Sequence, residues 1–298
     1  MNTVIMKDRI VFMTGATSGL GKVAACHIAN KGAKLIVLVR NTQKGKQLLV
    51  DYKKLYPEGK GAIELVEGNL NSFESIIRAC QCIKDKYAHL DMIINNAGIM
   101  NFSLTETVDG IEETLQVNLL APILISHLLF DLLVKSKASK IINTASGLHQ
   151  GIINFDNLEF KKGFSSFKSY RQSKLGLILL GRLLAKELES DKIKVYSQHP
   201  GMVRTELGRS AGWLSKAIFW LMGKSPEKGA QTLIYLAETV DASLVSGEYY
   251  ANKKVTKITP ESYDLNVAQQ LLDVVQQYLE PYIKQSSPIF DIKEKPTI

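Results

Sequence analysis

Tyr170 and Lys174 are the residues of this sequence whose types and spacing could do acid–base chemistry. They stand at the start of an apolar run that continues through Leu184. On a helix, side chains four positions apart lie on the same face, about 5–6 Å apart at Cβ. An ammonium at that distance favours the phenolate over the phenol, so the tyrosine could donate or accept a proton near neutral pH. The same spacing also occurs by chance on surface helices, and the surrounding elements must decide between the two interpretations.

A glycine-rich segment near the start of the chain predicts a phosphate-binding turn. An apolar strand pattern at 9–14 is followed by Gly15, Gly19 and Gly21 and then by a helical pattern. Glycines let the backbone approach a pyrophosphate closely, and the free N–H groups of the helix N-terminus face the anion. A second strand pattern at 34–39 completes a β-α-β unit of about 30 residues, which is the context that this motif requires.

Arg40 closes the second predicted strand, where NAD-binding folds usually place an acidic residue for the ribose hydroxyls. An arginine there can instead hold the 2′-phosphate of NADP(H). Lys22 and Lys44 add positive charge nearby. The sequence therefore predicts NADP(H) as the cofactor, and a solvated strand end is the alternative interpretation of Arg40.

Strand and helix patterns alternate along the whole chain. This order predicts an α/β fold of the Rossmann type, with a doubly wound, mostly parallel sheet and helices on both faces. Beyond the first two strands, the patterns place strands at 62–66, 91–95, 140–144, 193–197 and 247–250. They place the later helices at 41–56, 73–87, 109–134, 170–184, 225–237 and 262–282, and leave 152–169 irregular. No linker or internal repeat divides the chain, so residues 1–298 are predicted to form a single domain.

Polar segments follow three of the predicted strands. Ser146 comes just after the fifth strand, and Asn95-Asn96-Ala97-Gly98 and Pro200-Gly201 follow the fourth and sixth. In open α/β sheets ligands bind at the carboxyl ends of the strands, so Ser146 is placed where chemistry happens. Asn118 is a polar residue inside an apolar helical pattern, which is unusual. It is either a satisfied core amide or a functional group.

The amino-acid composition constrains the function less than these motifs do. The formal charge of +8 arises from 37 basic and 29 acidic residues, and no basic cluster is long enough for a nucleic-acid-binding arm. The excess favours a phosphorylated cofactor or an anionic membrane face, and plain solubility explains it equally well. The three cysteines form neither a disulfide framework nor a zinc motif, so no metal is expected.

The location is bounded by the lack of long apolar segments. No apolar run approaches the ~18 residues of a membrane span, and residues 1–7 lack the features of a signal peptide. Free thiols fit a reducing compartment. We therefore expect a cytoplasmic protein, and attachment to a membrane surface stays open as an alternative.

These segments together resemble the short-chain dehydrogenase/reductase family, from about residue 9 to residue 250. The resemblance rests, in order, on Thr-Gly-x-x-x-Gly-x-Gly at 14–21, Asn-Asn-Ala-Gly at 95–98, Asn118, Ser146, Tyr170-x-x-x-Lys174 and Pro200-Gly201. Within the family the chain is most similar to the retinol dehydrogenase group. That similarity lies in Ser146-Gly147-Leu148-His149, residues 153–158, Tyr170-x-x-Ser173-Lys174-Leu175 and residues 199–207.

The resemblance implies a role for each matching side chain. Tyr170 would be the general acid in carbonyl reduction and the base in alcohol oxidation. Ser146 would hydrogen-bond the substrate oxygen. Lys174 would hold the nicotinamide ribose and lower the pKa of Tyr170, and Asn118 would position a water in a proton relay. The residues implied to bind the cofactor are Gly15, Thr17, Ser18, Gly19, Leu20, Gly21, Arg40, Asn69, Leu70, Asn96, Ala97, Gly98, Tyr170, Lys174, Pro200, Gly201, Val203 and Thr205.

The sequence departs from the family pattern in two places. The family commonly has Asp near the end of the third strand, in contact with adenine, and this chain has Asn69. An amide oxygen still accepts a hydrogen bond from the adenine amino group, so a weaker contact is expected. Retinol-type members often have an N-terminal membrane segment, and none is recognised here. The membrane location and the substrate of those members therefore do not transfer directly.

The segment at 205–225 falls where the family's substrate lid lies. Within it, Ala211–Met222 is rich in aromatic and aliphatic residues, including Trp213 and Trp220. Such a lid suits a hydrophobic substrate, for example a retinoid, a steroid or a lipid aldehyde. The stretch could equally contact a bilayer, or form a helix packed on its own domain or on a dimer partner. The resemblance also implies a homo-oligomer formed through the helices around 115–134 and 170–189.

The function implied is that of an NADP(H)-dependent oxidoreductase that interconverts an alcohol and a carbonyl by hydride transfer. The alternative is a non-catalytic NADP(H)-binding sensor or scaffold, which would be expected to lose one of Asn118, Ser146, Tyr170 or Lys174. All four are present. An epimerase or dehydratase of nucleotide sugars is disfavoured, because no extra domain for the sugar nucleotide follows the tyrosine helix.

Overall fold

The computed structural model describes residues 6–201, 225–283 and 289–290. Within them the strands are β1 (Ile10–Thr14), β2 (Lys34–Val39), β3 (Ala62–Glu67), β4 (Met92–Asn95), β5 (Ser139–Thr144), β6 (Ile193–His199), β7 (Tyr249–Ala251) and β8 (Lys254–Val255). They form one sheet in the order β3-β2-β1-β4-β5-β6-β7-β8. Neighbouring strands are parallel except for the antiparallel pair β7 and β8. The predicted Rossmann-type α/β fold is confirmed.

Helices cover both faces of the sheet. They are α1 (Gly19–Asn30), α2 (Thr42–Leu55), α3 (Phe73–Lys86), α4 (Glu113–Leu115), α5 (Ala121–Leu128), α6 (Phe130–Val134), α7 (Ser166–Glu187), α8 (Pro226–Glu238) and α9 (Leu265–Leu279). Successive residues of a strand face opposite layers. Val11 and Met13 of β1 therefore share a core with α1, α2 and α8, whereas Phe12 shares a core with α3, α5, α7 and α9. Two buried faces explain why the strands read as continuous apolar runs.

The strand order reverses between β1 and β4, the two strands at the centre of the sheet. From β1 the chain moves outward through β2 to β3, and from β4 it moves the other way through β5 to β7. The segments that leave the carboxyl ends of β1 and β4 therefore part in opposite directions. They leave a crevice there, which is where open α/β sheets bind their ligands.

The predicted continuous helix at 109–134 is wrong. The segment consists of α4, a π-helical turn at Gln116–Leu120, α5 and, after a break at Leu129, α6. Pro122 supplies a physical reason for the π-helical turn. In an α-helix its N–H would bond the carbonyl of Asn118, but proline has no N–H and its ring clashes with that carbonyl. The extra residue of a π-turn relieves the conflict, and such turns are frequent at functional sites.

Two other helices begin or end differently from the prediction. Helix α7 begins at Ser166, with Ser165 as its N-cap, so 166–169 is helical and Tyr170 lies in its second turn. The predicted helix at 262–282 is a 3₁₀ turn at Pro260–Tyr263, then α9, then a second 3₁₀ turn. The Asp264 carboxylate caps α9 by accepting from two backbone N–H groups at 2.9 and 3.1 Å. A carboxylate in this capping position starts a new helix, and the sequence pattern alone missed the boundary.

The C-terminal segment covers the helices through which an oligomer is expected. Leu271 of α9 meets α7 at Gly176, where a Cβ would lie 3.1 Å from Leu271 Cδ2 and 3.0 Å from Leu119 Cδ2. Further along the segment, the Phe290 ring lies 4.9 Å from that of His127 on α5. These apolar faces are already occupied by the chain itself. The homo-oligomer stays a prediction.

The predicted lid at 205–225 lies outside the described residues apart from Ser225, and Ala211–Met222 lies outside them entirely. Across 6–201 and 225–283, none of the helices has both the length and the apolar character needed to span a bilayer.

Candidate active site

Side-chain hydrogen bonds join the carboxyl ends of β1 and β4. Thr14 Oγ1 accepts from the backbone N–H groups of Asn96 and Ala97, each at 3.1 Å. Asn96 Nδ2 donates to the carbonyl oxygen of Gly15 at 2.8 Å. The glycine-rich turn and the segment after β4 are therefore held together at the crevice. The structure brings these two predicted binding segments into one place.

Gly15 and Gly21 lie where a side chain has no room. Gly15 has a φ of +68°, and a Cβ on it would lie 2.7 Å from the Cα of Ala97. A Cβ on Gly21 would overlap the carbonyl oxygen of Gly15 and lie 2.5 Å from Asn96 Nδ2. The close packing requires glycine at both positions, and it keeps the backbone of the turn open toward a ligand.

The N-terminus of α1 fits a bound anion. Ser18 is its N-cap, but the Ser18 side chain makes no capping hydrogen bond, and the first turn of the helix contains no acidic residue. The first N–H groups of the helix and its dipole therefore leave positive charge that no side chain of the turn neutralises. The geometry of residues 17–21 therefore fits the pyrophosphate of a nicotinamide dinucleotide.

We expect Gly21→Ala to weaken NADPH binding about tenfold to hundredfold. The new Cβ must push apart the Gly15 peptide and Asn96, and overpacking of this kind costs about 1–3 kcal/mol. Quenching of protein fluorescence by NADPH measures the dissociation constant. Gly45→Ala is the matched control, because a Cβ there meets the flexible end of Leu65 at 2.9 Å. Equal dissociation constants for the Gly21 and Gly45 variants would contradict the placement of the cofactor in this turn.

The adenosine side of the crevice contains three of the predicted residues. Arg40 is exposed at the end of β2, and it makes no ion pair among the described residues. Lys22 is engaged, because its Nζ lies 2.5 Å from Asp51 Oδ2, and this hydrogen bond lowers the pKa of Asp51. Asn69 Oδ1 accepts from the backbone N–H of Asn71 at 3.2 Å. One lone pair of that amide oxygen remains for a second donor.

Tyr170, Ser146 and Lys174 come together at the carboxyl end of β5. The Ser146 side chain lies close enough to the Tyr170 hydroxyl to influence its pKa. Lys174 Nζ lies 5.8 Å from the centroid of the Tyr170 ring and donates to the carbonyl oxygen of Thr144 at 2.9 Å. The three side chains are buried, with 5%, 8% and 2% of the surface of Tyr170, Ser146 and Lys174 exposed.

Burial moves the pKa values of Tyr170 and Lys174 in opposite directions. It raises the pKa of Tyr170 above its ordinary value, and the Ser146 side chain opposes this only in part. It lowers the pKa of Lys174 from 10.5 to about 8. Both shifts follow because a low-dielectric site disfavours the charged form. Burial is the largest influence on the Tyr170 pKa in the protein alone, and the lowering of this pKa by Lys174 stays a prediction.

Asn118 lies in the π-helical turn and is fully buried. Its Oδ1 accepts from the N–H of Ile99 at 2.9 Å, while its Nδ2 donates to the carbonyl oxygen of Ile99 at 2.9 Å and to Ser173 Oγ at 3.0 Å. The side chain is thus a satisfied core amide that ties the segment after β4 to α7. A Cβ on Gly98 would lie 3.1 Å from Lys174 Nζ and 3.3 Å from Asn118 Oδ1. Asn118 and Lys174 therefore line the same space beside Gly98.

Comparison with known proteins decides the family. The profile of a family described as "short chain dehydrogenase" matches residues 9–212. The chain belongs to the short-chain dehydrogenase/reductase family. It is therefore an oxidoreductase that acts on CH–OH or C=O groups.

The relatives are retinol dehydrogenase-like. Retinol dehydrogenase 14 of Mus musculus is 35% identical over 285 residues, which cover 91% of this chain and 85% of the relative. The polyprenol dehydrogenase of Homo sapiens is 34% identical over 277 residues, which cover 89% and 83%. A solved structure of a putative uncharacterized protein from Mycobacterium paratuberculosis superposes with a TM-score of 0.76 at 26% identity, covering 94% of this chain and 96% of that one.

The remaining predicted site residues are placed as follows. Leu20 is buried in α1, and the Leu70 carbonyl accepts from Gln116 Nε2 at 3.3 Å. Pro200 and Gly201 follow β6, and Gly201 has a φ of +82°. Val203 and Thr205 lie outside the described residues. In the described part of the chain, no cluster of three or more His, Cys, Asp or Glu residues could hold a metal ion.

Sequence reasoning assigned no role to several residues that hold this site together. Thr14 and Thr144 end β1 and β5, and the Thr144 side chain accepts from Gln198 Nε2 at 2.9 Å. Tyr249 donates from its hydroxyl to the carbonyl oxygen of Ser146 at 3.0 Å. A threonine at the last position of a parallel strand is a signal that could have been used, because that position faces the ligand crevice. No local pattern could have paired Tyr249 with Ser146.

Proposed function

We propose that the chain is an NADP(H)-dependent oxidoreductase, a single Rossmann-fold domain that interconverts an alcohol and a carbonyl on a hydrophobic substrate. One observation carries the proposal. Tyr170 and Ser146 are buried side by side, with Lys174 beside the tyrosine ring, at the carboxyl edge of the sheet. This arrangement offers a proton and a hydrogen bond to one substrate oxygen.

The chain's own groups would act on that oxygen. NADPH, when bound, supplies the hydride to the carbonyl carbon. The Tyr170 hydroxyl gives its proton to the carbonyl oxygen, so the product is the neutral alcohol. The Ser146 hydroxyl hydrogen-bonds the same oxygen as negative charge develops on it. Lys174 uses one of its three N–H donors on Thr144, and the others remain for the ribose hydroxyls and for reprotonation of Tyr170.

The raised pKa of Tyr170 sets the direction of the pH dependence. A phenol whose pKa lies above its ordinary value is protonated throughout the neutral range, which suits a general acid. Carbonyl reduction is therefore expected to run well near neutral pH. Alcohol oxidation needs the deprotonated tyrosine, so its rate is expected to rise as the pH increases. Dinucleotide binding that brings positive charge beside Tyr170 would shift this dependence toward lower pH.

The choice of NADP(H) is supported by Arg40. Its guanidinium is exposed at the end of β2 and is free of ion pairs among the described residues, which fits a 2′-phosphate. We expect Arg40→Asp to weaken NADPH binding about tenfold to hundredfold, because it removes a charge-assisted hydrogen bond of about 1.5–3 kcal/mol. NADH has no 2′-phosphate, and its affinity should change less than about threefold. Fluorescence titration with both dinucleotides measures the effect.

Lys46→Asp is the matched control for the Arg40 variant. Lys46 is exposed on α2, and its replacement makes the same change in net charge. If long-range charge alone set the affinity, the two variants would lose NADPH binding equally. An Arg40→Asp protein with unchanged NADPH affinity would rule out the assignment.

A hydrophobic substrate is supported by the surface beside Ser146. Leu148 and Ile152, in the segment after β5, are 41% and 74% exposed. Phe102 and Leu104, after β4, are exposed as well, as is Phe167 in the first turn of α7. Exposed apolar side chains gathered on segments that leave the carboxyl ends of the strands suit an apolar substrate. The relatives named for retinol and polyprenol, two long apolar alcohols, support the same class.

A screen of NADPH oxidation tests the function. The carbonyls are all-trans-retinal, a short polyprenyl aldehyde, a steroid ketone and, as a hydrophilic control, glyceraldehyde. Turnover of an apolar carbonyl well above that of glyceraldehyde is expected, and Tyr170→Phe should abolish it. A protein that binds NADPH but reduces none of the carbonyls would support the non-catalytic alternative.

Location and assembly are parts of the same proposal. The exposed apolar side chains near the site would give the protein, placed in the cytoplasm, a peripheral contact with membranes that dissolve its substrate. Flotation with neutral and anionic liposomes tests this contact. The homo-oligomer would form through surfaces that α9 leaves free.

A further inference from the structure

The peptide group between Ser146 and Gly147 is held by three side chains. Its carbonyl oxygen accepts from the Tyr249 hydroxyl at 3.0 Å and lies 2.9 Å from His149 Nδ1. Its N–H donates to His199 Nδ1 at 2.9 Å. Just before this peptide group, the last backbone hydrogen bond from β5 to β6 runs from the Ala145 N–H to the carbonyl of Gln198 at 2.8 Å. Side chains thus take over where the backbone ladder ends, and we call Tyr249, His149 and His199 the peptide clamp.

The tautomer of His149 follows from its contact. The carbonyl oxygen of Ser146 can only accept, so His149 Nδ1 must carry the hydrogen. Burial lowers the pKa of His149, and the ring is therefore the neutral Nδ1–H form. Its Nε2 is buried and has no hydrogen-bond partner within residues 6–201, 225–283 and 289–290. Within the described structure, the contact with the Ser146 carbonyl therefore leaves the other ring nitrogen unsatisfied, which costs free energy.

Tyr249 reaches the clamp from β7, two strands away from β5. Its ring is 2% exposed and packs with Ala145 and with Ile178 of α7, the helix that carries Tyr170 and Lys174. Its centroid lies 5.3 Å from that of the His149 ring. Burial and the neighbouring Tyr170 both raise the pKa of Tyr249, so its hydroxyl stays protonated and remains a donor. One ring therefore ties together the strand, the loop and the helix of the site.

The clamp controls where the Ser146 hydroxyl points. Fixing the 146–147 peptide plane fixes the backbone from which the short serine side chain extends. Ser146 Oγ also accepts from the N–H of Leu148 at 3.0 Å, which leaves its hydrogen and its second lone pair for Tyr170 and a substrate. Gly147 permits the arrangement, because a Cβ there would lie 3.0 Å from His199 Nε2.

We propose that Tyr249 and His149 are positioning residues, which hold the Ser146–Gly147 peptide and so aim the Ser146 hydroxyl at the Tyr170 hydroxyl and the substrate oxygen. The proposal rests on the proposed function, in which Ser146 bonds that oxygen. Neither residue touches the reacting atoms. They act through the peptide group, and a misplacement of about 1 Å at a reacting group can cost on the order of 100-fold in rate.

Tyr249→Phe removes one of the three bonds and keeps the ring. We expect kcat for NADPH-dependent reduction of the best carbonyl of the screen to fall about tenfold, with the dissociation constant of NADPH unchanged. Tyr250→Phe is the matched control. Tyr250 is the next residue of β7, is equally buried, and accepts from the Val245 N–H at 2.8 Å. Each variant removes a tyrosine hydroxyl that is hydrogen-bonded to the backbone, so similar melting temperatures with different kcat values are the expected result.

The Ser146→Ala background separates positioning from structure. If the clamp acts through the Ser146 hydroxyl, adding Tyr249→Phe to Ser146→Ala should lower kcat further by less than about twofold. A merely structural effect would lower it by the same factor in both backgrounds. That additive outcome would overturn the proposal, as would a Tyr249→Phe kcat within twofold of the wild type.

His149 supplies a second, independent variant. Asparagine places an amide nitrogen where His149 carries Nδ1 and can make the same donation, whereas alanine cannot. His149→Ala should lose about tenfold in kcat, and His149→Asn should retain most of it. Equal losses would contradict the clamp. If Ser146→Ala keeps full activity, the proposed role of Ser146 is wrong, and the role of the clamp in catalysis is wrong with it. If Ser146→Ala loses activity while the Tyr249 and His149 variants do not, only the clamp proposal is refuted.

Discussion

Tyr170→Phe is expected to lower kcat for carbonyl reduction by about 10³-fold. The substitution removes the proton donor and keeps the ring, which is 5% exposed and packed at the carboxyl end of β5. The substrate oxygen then has no acid within reach, because Lys174 Nζ lies 5.8 Å from the centre of the ring and donates to Thr144. Binding of NADPH should be little changed, since the turn at 15–21 is untouched. Stopped-flow oxidation of NADPH measures the rate, and fluorescence titration measures the binding.

Tyr52→Phe is the matched control for Tyr170→Phe. Tyr52 is a buried tyrosine of α2 whose hydroxyl donates to the carbonyl of Gly61 at 3.2 Å, at the opposite edge of the sheet. It should lose stability without losing turnover. A Tyr170→Phe enzyme with normal kcat would end the proposed mechanism. The pH profile adds a check, because wild-type alcohol oxidation should rise with pH while Tyr170→Phe should show no such rise.

Lys174→Met is expected to abolish turnover and yet to stabilise the fold below pH 8. The ammonium is 2% exposed, and burial lowers its pKa from 10.5 to about 8. Keeping the charged form buried corresponds to a cost on the order of 3 kcal/mol. Methionine has a similar length and no charge, so it avoids this cost and loses only the bond to Thr144. A net gain of about 1–2 kcal/mol in the free energy of unfolding is expected.

The sign of the pH dependence follows from the lowered pKa. Below pH 8 the lysine is charged in both the folded and the unfolded chain, and its full burial cost destabilises the fold. Between pH 8 and the ordinary value of 10.5 the lysine is deprotonated in the folded protein but still protonated in the unfolded chain. The free energy of unfolding of the wild type therefore rises relative to that of the variant as the pH increases. The advantage of Lys174→Met should therefore be largest below pH 8 and disappear near pH 10.5.

Urea unfolding at several pH values measures the effect of Lys174→Met. Lys186→Met is its control, because Lys186 is exposed in the last turn of the same helix and pays no burial cost. Its free energy of unfolding should lie within about 0.5 kcal/mol of the wild type at each pH. A Lys174→Met protein that is less stable than wild type at pH 7 would show that the ammonium gains more from its hydrogen bonds than it loses by burial.

Periodicity carried most of the fold prediction. Strands β2, β4 and β5 are buried on both faces, so their continuous apolar runs gave bounds within a residue or two of the observed ones. The helix at 109–134 failed because one proline, Pro122, changes the hydrogen bonding of a segment whose apolar pattern continues across it. Helix α7 began earlier than predicted because its first turn has an exposed Phe167 and a buried Ser169, and such a turn does not show the apolar spacing of a helix.

The candidate site, too, could be predicted from the sequence only in part. Ser146, Tyr170 and Lys174 could be identified from the sequence by their types and order, because the chemistry requires those groups at fixed positions after fixed strands. The partner of Lys22 could not be identified in this way, because Asp51 lies 29 residues away and no spacing rule specifies that contact. The sequence predicted a lowering effect of Lys174 on the Tyr170 pKa, but it did not show that burial raises this pKa in the protein alone. Burial decides that sign, and burial belongs to the folded molecule.

By itself, the sequence determined the kind of protein: an α/β sheet, a dinucleotide turn built on Gly15 and Gly21, and a tyrosine–lysine pair on one helix. These features are local, since each depends on residues within a few turns or strands of one another. The tertiary structure decided how the pair is tuned and held. Tyr249 lies 103 residues from the Ser146 carbonyl that it bonds. Only the folding of β7 beside β6 brings them together, because hydrogen bonds act over a few ångströms of space and not along the chain.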